Sequence, residues 1–148
     1  MRNFIATLFI KSINPFIKVN PYYGEGSAYS FTDKTIHLNL RETNGEDEFL
    51  HHLVVEHKCS FANEFPLELW TILHELGHHY TEDDVVNPEL DYFARVAINN
   101  TDPSTYASNQ EAANAYFNLE SEWRATEWAI RYAKKHPLKC LIFGDLLR

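Results

Sequence analysis

The apolar residues of this chain change their period partway along its length. Ile36, Leu38 and Leu40 alternate with His37 and Asn39, whereas after Asn44-Gly45 the apolar positions fall three and four apart, as in Phe49, Leu50, Leu53 and Val54. A strand turns every second side chain to one face, and a helix returns to the same face about every 3.6 residues, so the two stretches call for different elements. Strands followed by a run of helices predict an α+β domain: a small antiparallel sheet and then a helical bundle. With 148 residues and no internal repeat or linker, residues 1–148 are read as a single domain.

Within that frame, the Phe- and Ile-rich run from Phe4 to Val19, interrupted by Asn14-Pro15, predicts one or two β-segments. Ala28–Phe31 and Thr35–Leu40 flank Thr32-Asp33-Lys34 and predict a hairpin with one buried face. Helices are expected from Glu46, then from near Pro66 to about Tyr80, and from Pro88 to about Asn99. A long helix is expected from about Ser108 to His136, stopped by Pro137.

Composition narrows the class of function. A net charge of −8 argues against general nucleic-acid binding, which depends on clustered cations that displace phosphate counterions. Arg131, Lys134, Lys135 and Lys139 fall at helical spacing and read as a solvated helix face. Two cysteines, Cys59 and Cys140, form no CxxC pattern, which suits a reducing compartment and indicates neither a disulfide framework nor a Cys-rich zinc site. The Phe4–Ile10 run is short and ends at Lys11, so it reads as buried structure rather than a leader, and no stretch is long enough to span a membrane.

The chemistry concentrates in His74-Glu75-Leu76-Gly77-His78, inside the most convincing helix. Residues four apart lie one above the other on a helix, so His74 and His78 can direct ring nitrogens at one ion. Glu75, one position round, stays out of the ligand set yet within reach of water at the metal, as metal-assisted hydrolysis requires of a general base. Gly77 removes a side chain beside the site and permits close packing there.

A catalytic zinc normally takes three protein ligands, so a third is sought downstream. Glu120, Glu122 and Glu127 are available in the long helix. Glu122 is preferred, because it shares a face with the small residues Ala125, Thr126 and Ala129, which let two helices approach. Glu120, whose neighbours one turn on are Trp123 and Arg124, is the alternative, and Glu127 lies on another face. Thr126 is placed to contact and orient a ligand imidazole. The simpler readings elsewhere are surface or hydrogen-bonded histidines at 51, 52 and 57, an acidic surface loop at Glu82-Asp83-Asp84, and core packing for Trp123 and Trp128.

On its two motifs, His-Glu-Leu-Gly-His at 74–78 and Glu122-Trp-Arg-Ala-Thr-Glu-Trp-Ala129, the chain resembles the ImmA/IrrE family of gluzincin-type (HExxH) metallopeptidases found in phages, mobile elements and bacteria. Glu122 matches that family's ligand glutamate, with Ala125, Trp128 and Ala129 matching the residues around it; Thr126 stands where Asp or Asn is usual. The resemblance implies a zincin-like fold, a Zn2+ cofactor, a cytoplasmic location and a protein or peptide substrate, possible targets including a repressor-like regulator. The 43 residues between His78 and Glu122 imply an inserted helix-loop over residues 85–110, serving as a substrate-side wall, a lid or a packing extension.

The reaction so implied is peptide-bond hydrolysis by metal-activated water, with Glu75 taking the proton and passing it to the leaving amine. An extended substrate would pair with a sheet edge, with Thr35–Leu40 as the candidate strand. His79, Tyr80, Tyr92 and Tyr106 are candidate oxyanion donors. The alternative is a metal-binding but non-catalytic protein-binding module.

Overall fold

The computed structural model of the protein describes residues 1–21, 26–40, 49–50, 52–53 and 59–148. Its elements, in chain order, are α1 (Arg2–Ile13), β1 (Lys18–Pro21), β2 (Ala28–Ser30), β3 (Thr35–Leu38), α2 (Leu67–Thr81), α3 (Pro88–Asn99), α4 (Asn109–Phe117), α5 (Glu120–Lys135) and α6 (Pro137–Leu147), with short 3-10 turns between helices. The α+β class is therefore present, with helix predominating.

The N-terminal run is a helix, not the expected strand. Ala6, Phe9 and Ile10 turn one face inward, with Ile13 partly buried behind them, while Phe4 and Leu8 remain exposed on the other side. Apolar residues on both sides of the cylinder hide the helical period and leave a run that resembles a buried strand. The helix ends at Asn14 before Pro15, and the Lys11 ammonium donates to the carbonyls of Pro15 and Ile17 just beyond it.

The sheet is mixed rather than wholly antiparallel, in the order β1-β3-β2. β2 and β3 form the expected antiparallel pair, with Tyr29 opposite Ile36, but β1 lies parallel to β3 on its other side, with Val19 opposite Ile36. β3 is the most buried strand, with Thr35, Ile36 and Leu38 all buried. Flanked on both sides, its backbone groups gain partners away from water.

The helical expectations fared unevenly. The helix expected from Glu46 falls largely outside the described residues, although Phe49, Leu50, His52 and Leu53 are helical. α3 matches the expected span, and Asn87 caps it by accepting from the Leu90 N–H. The single long helix from Ser108 is instead two, α4 and α5, because Leu119 turns extended (φ −57°, ψ 141°) and buries its side chain. Pro137 ends α5 but also opens α6, where the missing N–H of a first-turn proline costs nothing. Among the described residues no helix is long and apolar enough to cross a membrane.

α2 is the spine of the molecule. Leu69, Trp70, Ile72, Leu73 and Leu76 are fully buried, and each contributes on the order of 1.5–3 kcal/mol by leaving water. The Trp70 indole N–H donates to the Ala62 carbonyl at 2.6 Å, satisfying the one polar atom that its burial carries inward. Around α2 pack α1, β2, α5 and α6. His74, Glu75, Gly77 and His78 are buried along the same helix, so its chemistry sits inside the packed body.

Candidate metal centre

Two backbones meet where α2 crosses α5. A Cβ placed on Gly77 would lie 2.3 Å from the Ala125 carbonyl oxygen, so only glycine allows this approach. Ala125, Thr126 and Ala129 present a small, fully buried surface on the α5 side. The closeness brings Glu122, one turn before Thr126, over the two histidines of α2.

There the Glu122 Oε2 atom lies 2.7 Å from His74 Nε2 and 3.2 Å from His78 Nε2. All three side chains are buried, and their three ligand atoms lie within 4.8 Å of one another, close enough to hold a metal ion. Ligands of one four-coordinate ion with bonds of about 2.0 Å sit roughly 3.3 Å apart; the His78 spacing of 3.2 Å matches that, and the His74 spacing of 2.7 Å is shorter, as a direct hydrogen bond to the carboxylate would make it. The tautomer that leaves His74 Nε2 free for a cation carries its proton on Nδ1. That proton has an acceptor in Thr126 Oγ1, 3.0 Å away. The donor set and its orientation thus fit a divalent cation.

Aromatic rings surround the imidazoles. Phe49 and Phe117 stand edge-on to His74 at 5.6 and 6.0 Å, and Tyr29 stacks on His78 at 6.3 Å. This apolar jacket lowers the local dielectric and strengthens the electrostatics within. Burial pushes the Glu122 carboxyl upward, but the His78 and His74 imidazoles outweigh it and hold its pKa well below the usual carboxylate range. Glu75 is affected in the opposite sense: burial, reinforced by the Glu122 charge and only partly offset by His74 and a hydrogen bond from the Tyr29 backbone, raises it to about 7. Two neighbouring carboxyls are thereby separated in role, one kept ionised and the other able to exchange a proton near neutrality.

A pocket opens beside the cluster. β2 and its flanks supply Ser27, Ala28, Tyr29 and Phe31, while His74, Glu75, His78, Arg95, Tyr116 and Glu122 complete the lining. Among the described residues β1 and β2 are the edges of the sheet and β3 is paired on both sides, so Thr35–Leu40 is not an open edge; of the two edges, β2 is the one that lines the pocket. The other glutamates lie elsewhere: Glu120 accepts from the Val86 N–H and pairs with Arg124, and Glu127 is exposed.

None of the four candidate oxyanion donors lines this pocket. His79 Nδ1 is 3.3 Å from the Tyr29 hydroxyl, Tyr80 stacks on Trp128 at 5.0 Å, Tyr92 is exposed beside Phe93, and Tyr106 is half-buried outside the lining. The pocket is lined instead by Arg95 of α3 and Tyr116 of α4, which the sequence reading missed. Asp91 and Arg95 are four apart and read naturally as a surface ion pair, while Tyr92 and Phe93 look like the inward residues. The structure keeps that ion pair at 3.9 Å but leaves Tyr92 and Phe93 more than 60% exposed and turns Arg95 into the pocket. Burial disfavours the Arg95 cation, but Glu122 and Tyr116 more than offset it and raise its pKa; burial, then Glu122, also raises Tyr116.

No family model matches the chain, and no characterised protein or solved structure matches it significantly.

Proposed function

We propose that the protein is a zinc-dependent metallopeptidase that hydrolyses a peptide bond in a protein substrate. The observation that carries this reading is the pairing of a buried His74-His78-Glu122 cluster with Glu75, a carboxyl raised to about 7 and facing the same pocket. A closed structural zinc site has four protein ligands and needs no adjacent base; three ligands with an open pocket and a proton acceptor suit hydrolysis. A zinc ion bound there supplies a Lewis acid that polarises a carbonyl and makes water acidic.

The chain's own residues divide the remaining work. Glu75 accepts a proton at its carboxylate and returns it to the leaving amine, for which a pKa near 7 is well matched. Thr126 holds the His74 ring in orientation. β2, an edge of the sheet among the described residues, offers main-chain groups to an extended peptide, the usual way a strand is added to a sheet. The resemblance to the ImmA/IrrE family supports a cytoplasmic setting and a repressor-like protein as substrate.

Metal analysis beside cleavage of a quenched-fluorescence peptide library tests this. Wild type is expected to bind one zinc and cleave; Glu75→Gln keeps the zinc and loses cleavage; Glu122→Ala binds zinc more weakly. Zinc binding with equal biological activity in wild type and Glu75→Gln would establish the non-catalytic binding module instead.

A further inference from the structure

We propose that Arg95 is the positioning residue of the third ligand: it holds Glu122 to one-oxygen coordination and so limits the number of ligand atoms around the metal. The inference rests on the metal-site reading above and adds a role for α3, which that reading does not use.

The two oxygens of Glu122 are already divided. Oε2 faces the imidazoles, and Oε1 receives the Arg95 guanidinium, with Nη1 at 2.7 Å. A carboxylate that chelates a metal through both oxygens must turn both toward the ion. Doing so here would strip Oε1 from a cation that carries a charge-assisted hydrogen bond to it, among the stronger bonds available to a side chain.

The guanidinium is itself fixed from several directions. Nη1 also donates to the Tyr116 hydroxyl at 3.0 Å, and the group lies 5.4 Å from that ring's centroid. Nη2 donates to Ser121 Oγ at 2.6 Å. Ser121 is anchored in turn, its hydroxyl donating to Asp91 Oδ2 at 2.7 Å and its backbone N–H to Asp91 Oδ1 at 2.9 Å. A planar fork tied at two nitrogens cannot follow a carboxylate that rotates, which a lysine ammonium could. The Asp91 carboxylate, 3.9 Å from Nη2, also helps a cation reside beside a site meant for another cation.

With Glu122 confined to one oxygen, two imidazoles and one carboxylate oxygen leave the fourth position of a four-coordinate ion open. Released, Glu122 can supply its second oxygen and close or expand the site. Arg95 is thus a positioning residue acting through Glu122, and need not touch substrate.

Zinc has no visible spectrum, so the test uses cobalt(II), whose d–d bands are intense when four-coordinate and fall when a ligand is added. Cobalt-loaded wild type is expected to show the intense four-coordinate bands. Arg95→Met, which keeps an unbranched stem but no donor, is expected to lose about half or more of that intensity at full cobalt occupancy. Ser121→Ala removes only the support behind the guanidinium and is expected to shift the bands the same way by less. Arg95→Met bands that superimpose on wild type overturn the proposal, including when its melting temperature falls, since that is what a merely structural strut would give. Should Arg95→Met fail to fold, the Ser121→Ala spectrum decides in the same sense. Wild type that takes up no cobalt or zinc overturns the metal reading itself, and this inference with it.

Discussion

Gly77 and Ala125 touch backbone to backbone, and the position of every ligand depends on that contact. Gly77→Ala would ordinarily stabilise a helix interior by about 1 kcal/mol. Here the added methyl meets a carbonyl oxygen that belongs to a helix and cannot step aside cheaply. The variant is expected to lose roughly 3 kcal/mol of unfolding free energy, read by denaturant titration, and to bind zinc less tightly because α5 is pushed off α2.

Thr126→Val preserves shape and removes the hydroxyl that faces His74 Nδ1 at 3.0 Å. The ring proton loses its acceptor and the imidazole its fixed orientation. Zinc affinity, measured by chelator competition, is expected to fall about tenfold or more.

Glu75 gives the metal-stripped protein a pH dependence of known sign. Its carboxyl rises from an ordinary 4.5 to about 7 on folding, so between those values the folded state holds a proton that the unfolded state has released. The stabilising contribution is complete below 4.5 and is lost as pH climbs through 7. Glu75→Gln, which cannot ionise, is therefore expected to exceed wild type in stability at pH 8 by on the order of 2–3 kcal/mol, with the gap closing at pH 4. Chemical denaturation of both proteins in chelator at the two pH values checks this.

Trp70→Phe serves as a contrast far from the ligands. It deletes the indole N–H and leaves the Ala62 carbonyl without that donor, at a cost of about 1–3 kcal/mol in global stability. Zinc affinity is expected to stay within error of wild type by the same competition assay.

The parts of the fold legible in the sequence are those where one signal dominates. Pro66 and the spacing of Leu69, Trp70, Leu73 and Leu76 locate α2, Asn87-Pro88 marks the start of α3, and the alternation around Ile36 marks the hairpin. The small face of Ala125, Thr126 and Ala129 selects Glu122 among three glutamates, and the structure brings that residue to His74 and His78. Elsewhere the signals compete. α1 and α6 are apolar around most of their circumference, so neither displays a period, and the break at Leu119 carries no glycine or proline to announce it. Arg95 is invisible for a different reason: its importance comes from Glu122, 27 positions later in the chain, and local patterning cannot reveal a partner at that distance.

α3 has no buried residue, and it is joined to α5 by the ion pairs and hydrogen bonds of Asp91 and Arg95. Asp91, Arg95 and Glu122 expose only 10%, 22% and 2% of their side chains, and pairs so enclosed are screened far less by salt than surface pairs are. The wall of the pocket is therefore held by enclosed polar contacts, and its grip on α5 is expected to persist over ordinary ionic strengths.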